Sequence, residues 1–321
     1  MSAPQSVLVT GAAGFVGSTL VDRLLGEGRR VVGLDNFDPF YPEPLKRANL
    51  ARARDHTGFE LVEGDIRDAA AIARAFEVAE PEVVVHLAAL AGVRPSLERP
   101  ADYSDVNLNG TTRLFAAGAE RHRPRFVFAS SSSVYGEREQ GPFRESDPVE
   151  RPISPYAATK RAGELIAHTF HHAYDMGVTC LRIFTAYGPR QRPDLAVRKF
   201  AERIRRGDTL PVYGDGSSLR DFTYVDDLVE GICRAIDRDL GFEILNFGAG
   251  RQVSVREMVE TLERALGQKA QVDYQAPQTG DVRQTWADTS LAQARLGFRP
   301  EVPFETGVER FVRWLLEDGE R

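Results

Sequence analysis

Cysteines, an excess of basic charge and long apolar runs are all missing or scarce in this sequence. Of its 321 residues only two are cysteines, Cys180 and Cys233, and they lack the spacing of metal ligands. No apolar run approaches the ~18 residues of a membrane span. Acidic residues outnumber basic ones by 47 to 41, and the net charge of −6 argues against a nucleic-acid binder. We therefore predict a cytoplasmic protein that binds neither membranes nor nucleic acid, with both thiols packed in its interior.

The composition is that of an ordinary globular protein. With 42% hydrophobic and 27% charged residues, the chain can form a sizeable core and has room for roughly two domains. The N-terminal residues MSAPQSVLVTG carry no cationic region ahead of their short apolar stretch, so they do not read as a signal peptide.

Short β-branched runs alternate with helical patterns through the first half of the chain. This alternation is typical of βαβ units, in which helices cover both faces of a parallel sheet. We therefore predict an α/β fold with a Rossmann-like, doubly wound parallel sheet and a smaller α/β lobe. Strands are expected at 7–11, 31–35, 59–64, 83–89 and 126–131, with further candidates at 179–184 and 243–248.

The pattern changes after Phe184, where loops punctuated by glycine and proline begin. We expect residues 1–184 to form the first domain and residues 185–321 to form the smaller, substrate-binding lobe. The stretch 222–248 holds an amphipathic segment and a strand candidate that could return to the large sheet. The lobe is therefore expected to be discontinuous, with 222–248 assigned to the first domain.

Three glycines in TGAAGFVGS lie between the first predicted strand and the first helix. Gly11 would make the tight turn, Gly14 would let the backbone approach a pyrophosphate, and Gly17 would permit close packing of the helix on the strand. Asp35 ends the second strand 18 residues after Gly17, where a carboxylate can accept hydrogen bonds from an adenosine ribose. A carboxylate repels a 2′-phosphate, and no Lys or Arg follows directly, so the first domain is predicted to bind NAD rather than NADP.

Other candidate cofactor contacts lie near the same strand ends. Asp65 and Ile66, after the third strand, could frame the adenine, although an aspartate there could equally be a turn former. The remaining candidates are Phe15, Val16, Asn36, Leu87, Ala88 and Ala89.

Tyr156 and Lys160 stand four residues apart in a helical pattern that begins after Pro155, so both would lie on one helix face. An ammonium near the phenol, together with the positive nicotinamide, would favour the phenolate and make Tyr156 a general base. Four serines at 130–133 end the fifth predicted strand, at the edge where open α/β sheets bind ligands. These residues together predict removal of a hydroxyl proton during hydride transfer.

The motifs together resemble the extended short-chain dehydrogenase/reductases, in particular the nucleotide-sugar 4-epimerases among them. The resemblance runs along nearly the whole chain, through HLAA, SSSSVYG, SPYAATK, LRIFTAYGP, LRDFTYVDD and GDVRQTWAD. In that family the catalytic Ser or Thr stands four positions before the tyrosine of the VYG motif, which here is Tyr135. The resemblance therefore implies a triad of Ser131, Tyr156 and Lys160, with the last two also contacting NAD.

The resemblance also implies a UDP-sugar substrate. Arg220 and Arg283 match arginines that clamp the diphosphate, and Thr185 matches a residue of the sugar pocket. Guanidinium groups suit this task because they bind phosphate oxygens bidentately. Further candidate substrate residues are Arg94, Ser132 and Ser133.

The serines at the end of the fifth strand separate the reactions within this family. Its dehydratases carry Thr-Asp-Glu and related decarboxylases Thr-Ser-Glu, where this chain has Ser131, Ser132 and Ser133. Carboxyl groups there would serve as acid and base after oxidation, so their absence favours epimerisation. We expect Tyr156 to take the proton of the sugar 4-hydroxyl while hydride passes to NAD. The 4-keto sugar then turns and receives the hydride on its other face.

The segments 34–50, 88–100 and 187–194 most resemble those of UDP-glucuronate 4-epimerases. In those enzymes a Gly-Arg-Pro-Asp segment supplies an arginine to the sugar carboxylate; here Gln191 replaces the glycine and Arg192 is retained. We therefore expect conversion of UDP-glucuronate to UDP-galacturonate. UDP-glucose is the alternative substrate, and a non-catalytic NAD-binding scaffold or redox sensor is a third hypothesis from another class.

Three further patterns concern the histidines and the assembly of the protein. His168, His171 and His172 have helical spacing, but no fourth ligand or acidic partner is apparent, so no metal site is predicted. His86 is expected to be a packed residue at a strand end. Apolar stripes after Tyr156 and around 109–120 predict the four-helix contact of a homodimer, which is common in the family the chain resembles.

Overall fold

In the computed structural model, which describes residues 5–138, 140–276 and 282–317, the main feature is a seven-stranded parallel sheet. The strands in chain order are β1 (Ser6–Thr10), β2 (Arg30–Asp35), β3 (Phe59–Glu63), β4 (Val83–His86), β5 (Arg125–Ser131), β6 (Val178–Ile183), β7 (Thr185–Tyr187), β8 (Thr209–Tyr213), β9 (Leu219–Tyr224), β10 (Phe242–Phe247), β11 (Gln252–Ser254) and β12 (Gln271–Gln275). The large sheet has the order β10-β6-β5-β4-β1-β2-β3. Every predicted strand is confirmed, with ends that differ by at most three residues.

Helices follow most of the strands. They are α1 (Phe15–Gly26), α2 (Glu43–Asn49), α3 (Ala51–Arg54), α4 (Ala69–Ala79), α5 (Val93–Glu98), α6 (Pro100–Ser104), α7 (Thr111–Ala119), α8 (Pro155–Tyr174), α9 (Ala196–Arg206), α10 (Val225–Ile236), α11 (Val255–Leu266), α12 (Ser290–Leu296) and α13 (Phe304–Glu317). A π-helical turn (Asp105–Gly110) precedes α7, and a 3₁₀ turn (Ser132–Tyr135) follows β5.

The large sheet is buried on both faces because its strands alternate between two cores. In β1, Val7 and Val9 pack in a cluster with α1 and α10, whereas Leu8 packs on the opposite face with residues of α4 and α7. Continuous apolar strands of this kind are expected where helices cover both faces of a parallel sheet. Cys180 and Cys233 are buried and unpaired, one in each core, so the prediction that both are packing residues is confirmed.

Two small sheets complete the described part of the molecule. Strands β11, β9 and β7 form one, and β12 pairs in parallel with β8 in the other. Residues 222–224 therefore belong to a small sheet, while α10 packs on α1 and β10 joins the large sheet beside β6. Among the described residues, no helix combines the length and apolar character that crossing a bilayer would require.

The start of α8 fixes where Tyr156 lies. Ser154 caps this helix, with its hydroxyl accepting the backbone N–H of Ala157 at 3.1 Å, and Pro155 occupies the first turn. The helix therefore begins beside the carboxyl end of β5, and Tyr156 is held in its first turn.

Candidate active site

A cleft of about 500 Å³ opens at the carboxyl ends of the strands of the large sheet. This is the edge at which open α/β sheets bind ligands. Its lining includes these residues singled out from the sequence: Gly11, Gly14, Phe15, Val16, Gly17, Asp35, Asn36, Asp65, Ile66, Leu87, Ala88, Ala89, Ser131, Ser132, Ser133, Tyr156, Lys160, Thr185 and Arg192.

The glycine loop at one end of the cleft has no room for side chains. Gly11 has a φ of +70°, and a Cβ there would lie 2.8 Å from the backbone nitrogen of Ala88. A Cβ on Gly17 would overlap the carbonyl oxygen of Gly11. The predicted tight turn at Gly11 and close packing at Gly17 are therefore confirmed. The loop forms a cradle at the N-terminus of α1, a position that favours a phosphate.

Asp35 lies beside this loop and is nearly buried. Its two carboxylate oxygens accept the backbone N–H groups of Ala13 at 2.9 Å and Phe37 at 2.8 Å. Burial raises the pKa of Asp35, and these two hydrogen bonds oppose the rise. Because each carboxylate oxygen can accept more than one hydrogen bond, capacity is left for ribose hydroxyls.

Lys46 lines the same end of the cleft and was not predicted from the sequence. Its ammonium donates to the carbonyl of Asp38 at 2.7 Å and lies 4.6 Å from the centre of the Tyr41 ring. Burial lowers the pKa of Lys46, whereas the charge of Asp35 acts to raise it. No Lys or Arg follows Asp35 directly in the sequence, but Lys46 on α2 lines the same cleft as Asp35.

Asp65 forms the turn that one of the two interpretations of the sequence expects. It lines the cleft, and its carboxylate accepts the backbone N–H of Arg67 at 2.8 Å, as a turn former does. The same carboxylate binds the Arg67 guanidinium at 2.8 Å and accepts the Asn36 amide at 2.7 Å. The hydrogen bond from Arg67 is the main cause of the lowered pKa of Asp65.

The three predicted catalytic side chains all line the same cleft. Ser131 ends β5, Tyr156 lies in the first turn of α8, and Lys160 follows one turn later. Burial raises the pKa of Tyr156, while a hydrogen bond with Ser131 and the positive charge of Arg192 act to lower it. The expectation that Lys160 lowers this pKa is thus wrong for the protein alone, because burial outweighs the opposing effects and these come from other residues.

Lys160 is held against the strand rather than by its phenolic neighbour. Its ammonium donates to the carbonyl of Ala129 at 2.7 Å and lies 5.2 Å from the centre of the Phe128 ring. Burial lowers the pKa of Lys160 to about 8. The side chain is therefore still mostly charged near neutral pH, which preserves its use as a cation in the site.

Arg192 reaches the same cleft from the loop after β7. Its Nε and one terminal nitrogen bind the two oxygens of Asp194 at 2.9 and 2.8 Å, and its guanidinium lies 5.3 Å from the centre of the Phe40 ring. The neighbouring Gln191 is buried, and its amide nitrogen donates to the carbonyl of Ala186 at 3.2 Å. Arg192 thus stands close enough to Tyr156 for its charge to favour the phenolate.

Three predicted substrate arginines lie outside the lining of the cleft. Arg220 on β9 and the exposed Arg283 are held near each other, because the backbone N–H of Leu219 donates to the carbonyl of Arg283 at 3.0 Å. Arg94 on α5 lies 5.3 Å from the centre of the Tyr213 ring. The structure therefore brings the backbones around Arg220 and Arg283 together, and neither side chain is part of the cleft lining.

Behind the catalytic residues lies a buried polar network that the sequence analysis also missed. Glu164 accepts hydrogen bonds from Ser130 at 2.6 Å and from two nitrogens of Arg182 at 2.9 Å. A third nitrogen of Arg182 donates to the Tyr135 hydroxyl at 3.0 Å, and that hydroxyl donates to Asn246 at 2.6 Å. The sequence signal was the position of Glu164, one helical turn after Lys160.

His86 is a packed residue, as predicted. Its ring nitrogens hydrogen-bond the hydroxyls of Thr10 at 2.7 Å and Thr111 at 2.9 Å, and it is 1% exposed. Burial lowers its pKa to about 3, so the ring is neutral near pH 7. Within the described residues, no group of three or more His, Cys, Asp or Glu side chains is arranged to hold a metal ion.

Comparison with known proteins gives matches along nearly the whole chain. The family model described as GDP-mannose 4,6 dehydratase matches residues 8–311. A "Probable UDP-glucuronate 4-epimerase" of Rhizobium meliloti (strain 1021) is 42% identical over 333 residues, with 98% of each chain covered. The protein is also similar to a crystal structure of UDP-glucuronic acid 4-epimerase from Bacillus cereus in complex with UDP-glucuronic acid and NAD, with a TM-score of 0.91, 34% identity, and coverage of 97% of this chain and 99% of that one.

A second solved structure belongs to an enzyme of a neutral sugar. UDP-glucose 4-epimerase from Thermotoga maritima, crystallised with UDP-glucose, matches with a TM-score of 0.89 and 34% identity, and covers 97% of this chain and 98% of that one. Both sugar classes are thus represented among similar folds, so the choice between them rests on the residues of the cleft.

Proposed function

This chain belongs to the GDP-mannose 4,6-dehydratase family of extended short-chain dehydrogenase/reductases, and we propose on that premise that it is an NAD-dependent 4-epimerase that converts UDP-glucuronate to UDP-galacturonate. One observation carries the proposal. A single cleft holds the glycine loop, the Ser131, Tyr156 and Lys160 side chains, and the cation of Arg192. In this proposal residues 1–184 and 222–248 bind NAD, and the remainder of 185–321 binds the nucleotide sugar.

The cofactor end fits a dinucleotide because the loop leaves space that a Cβ would fill. Gly11, Gly14 and Gly17 would accept the diphosphate at the N-terminus of α1, and Asp35 would accept the adenosine ribose hydroxyls. Lys46 lies beside Asp35 and supplies a cation at the same end. When bound, NAD accepts a hydride from the sugar and returns it.

The proton is handled by the chain's own residues. Tyr156 removes the proton of the sugar 4-hydroxyl as hydride leaves C4, and returns it when hydride adds to the other face of the 4-keto sugar. Ser131 hydrogen-bonds the reacting oxygen and the phenol, which keeps the two aligned. Lys160 is a buried cation that would hold the nicotinamide ribose.

The sugar end of the cleft is suited to a carboxylate. Arg192 is the cation that would pair with the C6 carboxylate, since a charge taken into a cleft must be paired. Pairing holds the carboxylate away from the geometry in which a β-keto acid loses carbon dioxide. Other contacts proposed for the nucleotide sugar are those of Ser132, Ser133, Thr185, Arg94, Arg220 and Arg283.

The decisive experiment is to incubate the purified protein with UDP-glucuronate or UDP-glucose, without added NAD, and to identify products by NMR. UDP-galacturonate formed from UDP-glucuronate is the expected result, and turnover without added cofactor indicates tightly held NAD. A UDP-pentose product would indicate decarboxylation, and preference for UDP-glucose would favour the neutral-sugar reaction. The Tyr156→Phe variant should lose about 10²- to 10⁴-fold in kcat; undiminished activity would refute the catalytic assignment.

We also propose that the enzyme is a cytoplasmic homodimer. Leu165 on α8 is a large apolar side chain that is 52% exposed, so another subunit could cover it. Two buried, unpaired cysteines are compatible with a reducing compartment. Light scattering tests the assembly: Leu165→Glu should convert a dimer to a monomer, and an unchanged mass would place the interface elsewhere.

A further inference from the structure

We propose that Asp194 is a specificity-determining residue, which neutralises Arg192 and thereby sets how strongly the cleft prefers an acidic sugar to a neutral one. The inference rests on the proposed function, because it requires that the sugar carboxylate meet Arg192. It extends that function by assigning the choice of sugar to a pair of residues rather than to Arg192 alone.

The geometry of the pair leaves Arg192 free to bind a second anion. Its Nε and one terminal nitrogen donate to the two oxygens of Asp194 at 2.9 and 2.8 Å. A guanidinium has five N–H donors in a fixed plane, so three remain after these two bonds. A sugar carboxylate can therefore bind Arg192 while Asp194 stays in place.

The surroundings of Arg192 make this charge pairing matter. The Arg192 side chain is 18% exposed and stands over the Phe40 ring, whereas the Asp194 side chain is 40% exposed. The cation thus lies in the cleft, and its counter-ion reaches solvent. Charges interact more strongly in such a partly shielded place than on an open surface.

The consequence differs for the two sugars. When a neutral sugar binds, Asp194 has already neutralised the charge of Arg192. Binding of that sugar therefore does not remove water from an unpaired cation. An acidic sugar places a second carboxylate on the same guanidinium, and the two carboxylates repel each other. Asp194 therefore weakens binding of the acidic sugar and supports binding of the neutral one.

Replacement of Asp194 by asparagine tests this directly, because the amide keeps an acceptor for Arg192 and removes the charge. The KM for UDP-glucuronate should fall, the KM for UDP-glucose should rise, and the ratio of the two kcat/KM values should shift toward the acidic sugar by about three- to tenfold. Arg192→Ala should shift the same ratio in the opposite direction.

A pH profile provides a readout that a merely structural role would not move. The groups that face Tyr156 are Ser131, Lys160, Tyr103 and Arg192, and the charge of Arg192 acts to lower the pKa of Tyr156. When Asp194 loses its charge, the cation is less compensated and the phenolate is favoured. The acid limb of kcat/KM should therefore move to lower pH in Asp194→Asn.

A matched control is available on the surface. Arg206 and Asp208 form an ion pair with the same two-residue separation, at 3.0 Å, with side chains 57% and 49% exposed. Asp208→Asn should leave both the sugar ratio and the pH profile unchanged. Wild-type protein is assayed first with both sugars, so failure of the proposed epimerisation is seen before any variant is compared.

The outcomes separate the two proposals. A shifted ratio together with a shifted acid limb in Asp194→Asn alone supports the role of Asp194. If the acid limb of kcat/KM shifts in Asp194→Asn but the ratio of the two kcat/KM values does not change, the sugar carboxylate does not contact Arg192. That result overturns both the inference and the assignment of an acidic substrate. If neither quantity moves while Arg192→Ala still changes the ratio, the role of Asp194 is refuted and the substrate assignment stands. An equal loss for both sugars with a lower Tm assigns Asp194 a structural role and also refutes the inference.

Discussion

Glu164 and Arg182 form a two-pronged ion pair in the interior, with side chains that are 0% and 2% exposed. Both nitrogen–oxygen distances are 2.9 Å. Ser130 also donates to Glu164 at 2.6 Å, so Glu164 joins α8 both to β6 and to the end of β5 next to Ser131. The relative position of Ser131 and Tyr156 therefore depends on an ion pair that does not itself line the cleft.

Glu164→Gln should lower the free energy of unfolding by about 3–5 kcal/mol, because it leaves the buried charge of Arg182 without its counter-ion. Denaturant titration measures the loss. Glu43→Gln is the control: it removes one partner of an exposed pair with Arg47 and should cost less than about 1 kcal/mol. Equal effects of the two substitutions would contradict the importance of burial.

The fold could be predicted from the sequence because the patterns that mark its strands and the glycine loop are local. Apolar runs such as 83–89 and 126–131 mark strands by composition alone, and the glycines of the loop after β1 are marked by their spacing. The proposed triad was predicted partly from local spacing, since Tyr156 and Lys160 are one helical turn apart; Ser131 was chosen among the serines at the end of the strand from the family resemblance.

The parts that were missed depend on contacts between distant segments. Glu164 and Arg182 lie 18 residues apart on a helix and a strand, and each looks like a surface charge in the sequence. Lys46 is carried back to Asp35 by a helix whose packing no local pattern specifies. The pKa of Tyr156 was expected to fall, but it depends on how deeply the side chain is buried, which only the packed structure determines.

Gly17→Ala should greatly weaken or abolish NAD binding, because the added Cβ would overlap the carbonyl oxygen of Gly11 and force the loop and α1 apart. Gly26→Ala is a matched control at the other end of the same helix, where a Cβ meets nothing within 4 Å. That variant should bind NAD normally and be as stable as the parent or slightly more so. Calorimetric titration of cofactor-free protein with NAD measures both; equal affinities would contradict the steric role of Gly17.

Asp221 on β9 joins three backbone segments. Its carboxylate accepts the N–H groups of Ala249 at 2.7 Å, Gly250 at 3.0 Å and Ala287 at 3.0 Å, and the last of these lies four residues after Arg283. Asp221→Asn replaces one acceptor oxygen by a donor that faces another donor. The substitution should cost about 1–3 kcal/mol of stability and weaken UDP binding severalfold.

Denaturant titration and calorimetry with UDP test the role of Asp221. Asp273→Asn, on the exposed strand β12, is the comparison and should change neither quantity. Loss of stability without any loss of UDP affinity would show that the segment carrying Arg283 does not contribute to nucleotide binding.

Lys160 carries a cost in stability that depends on pH. Burial lowers its pKa to about 8 in the folded protein, from an ordinary value of 10.5. Between these two values the unfolded chain binds more protons than the folded one, so this group's contribution to stability rises as pH increases through that window. Below pH 8 the penalty is about 3 kcal/mol.

Lys160→Met removes this penalty together with the hydrogen bond to Ala129, which is worth about 1 kcal/mol. The variant should therefore be about 1–2 kcal/mol more stable than the parent at pH 7, and this advantage should vanish by pH 10.5 although activity is lost throughout. Urea unfolding at pH 7, 9 and 10.5 measures the difference. Lys269→Met, at a side chain that is 87% exposed, should show no such trend. A gap between parent and Lys160→Met that stays constant with pH would mean that Lys160 is not held as a destabilised cation, and the cation assigned to the active site would have to come from another residue.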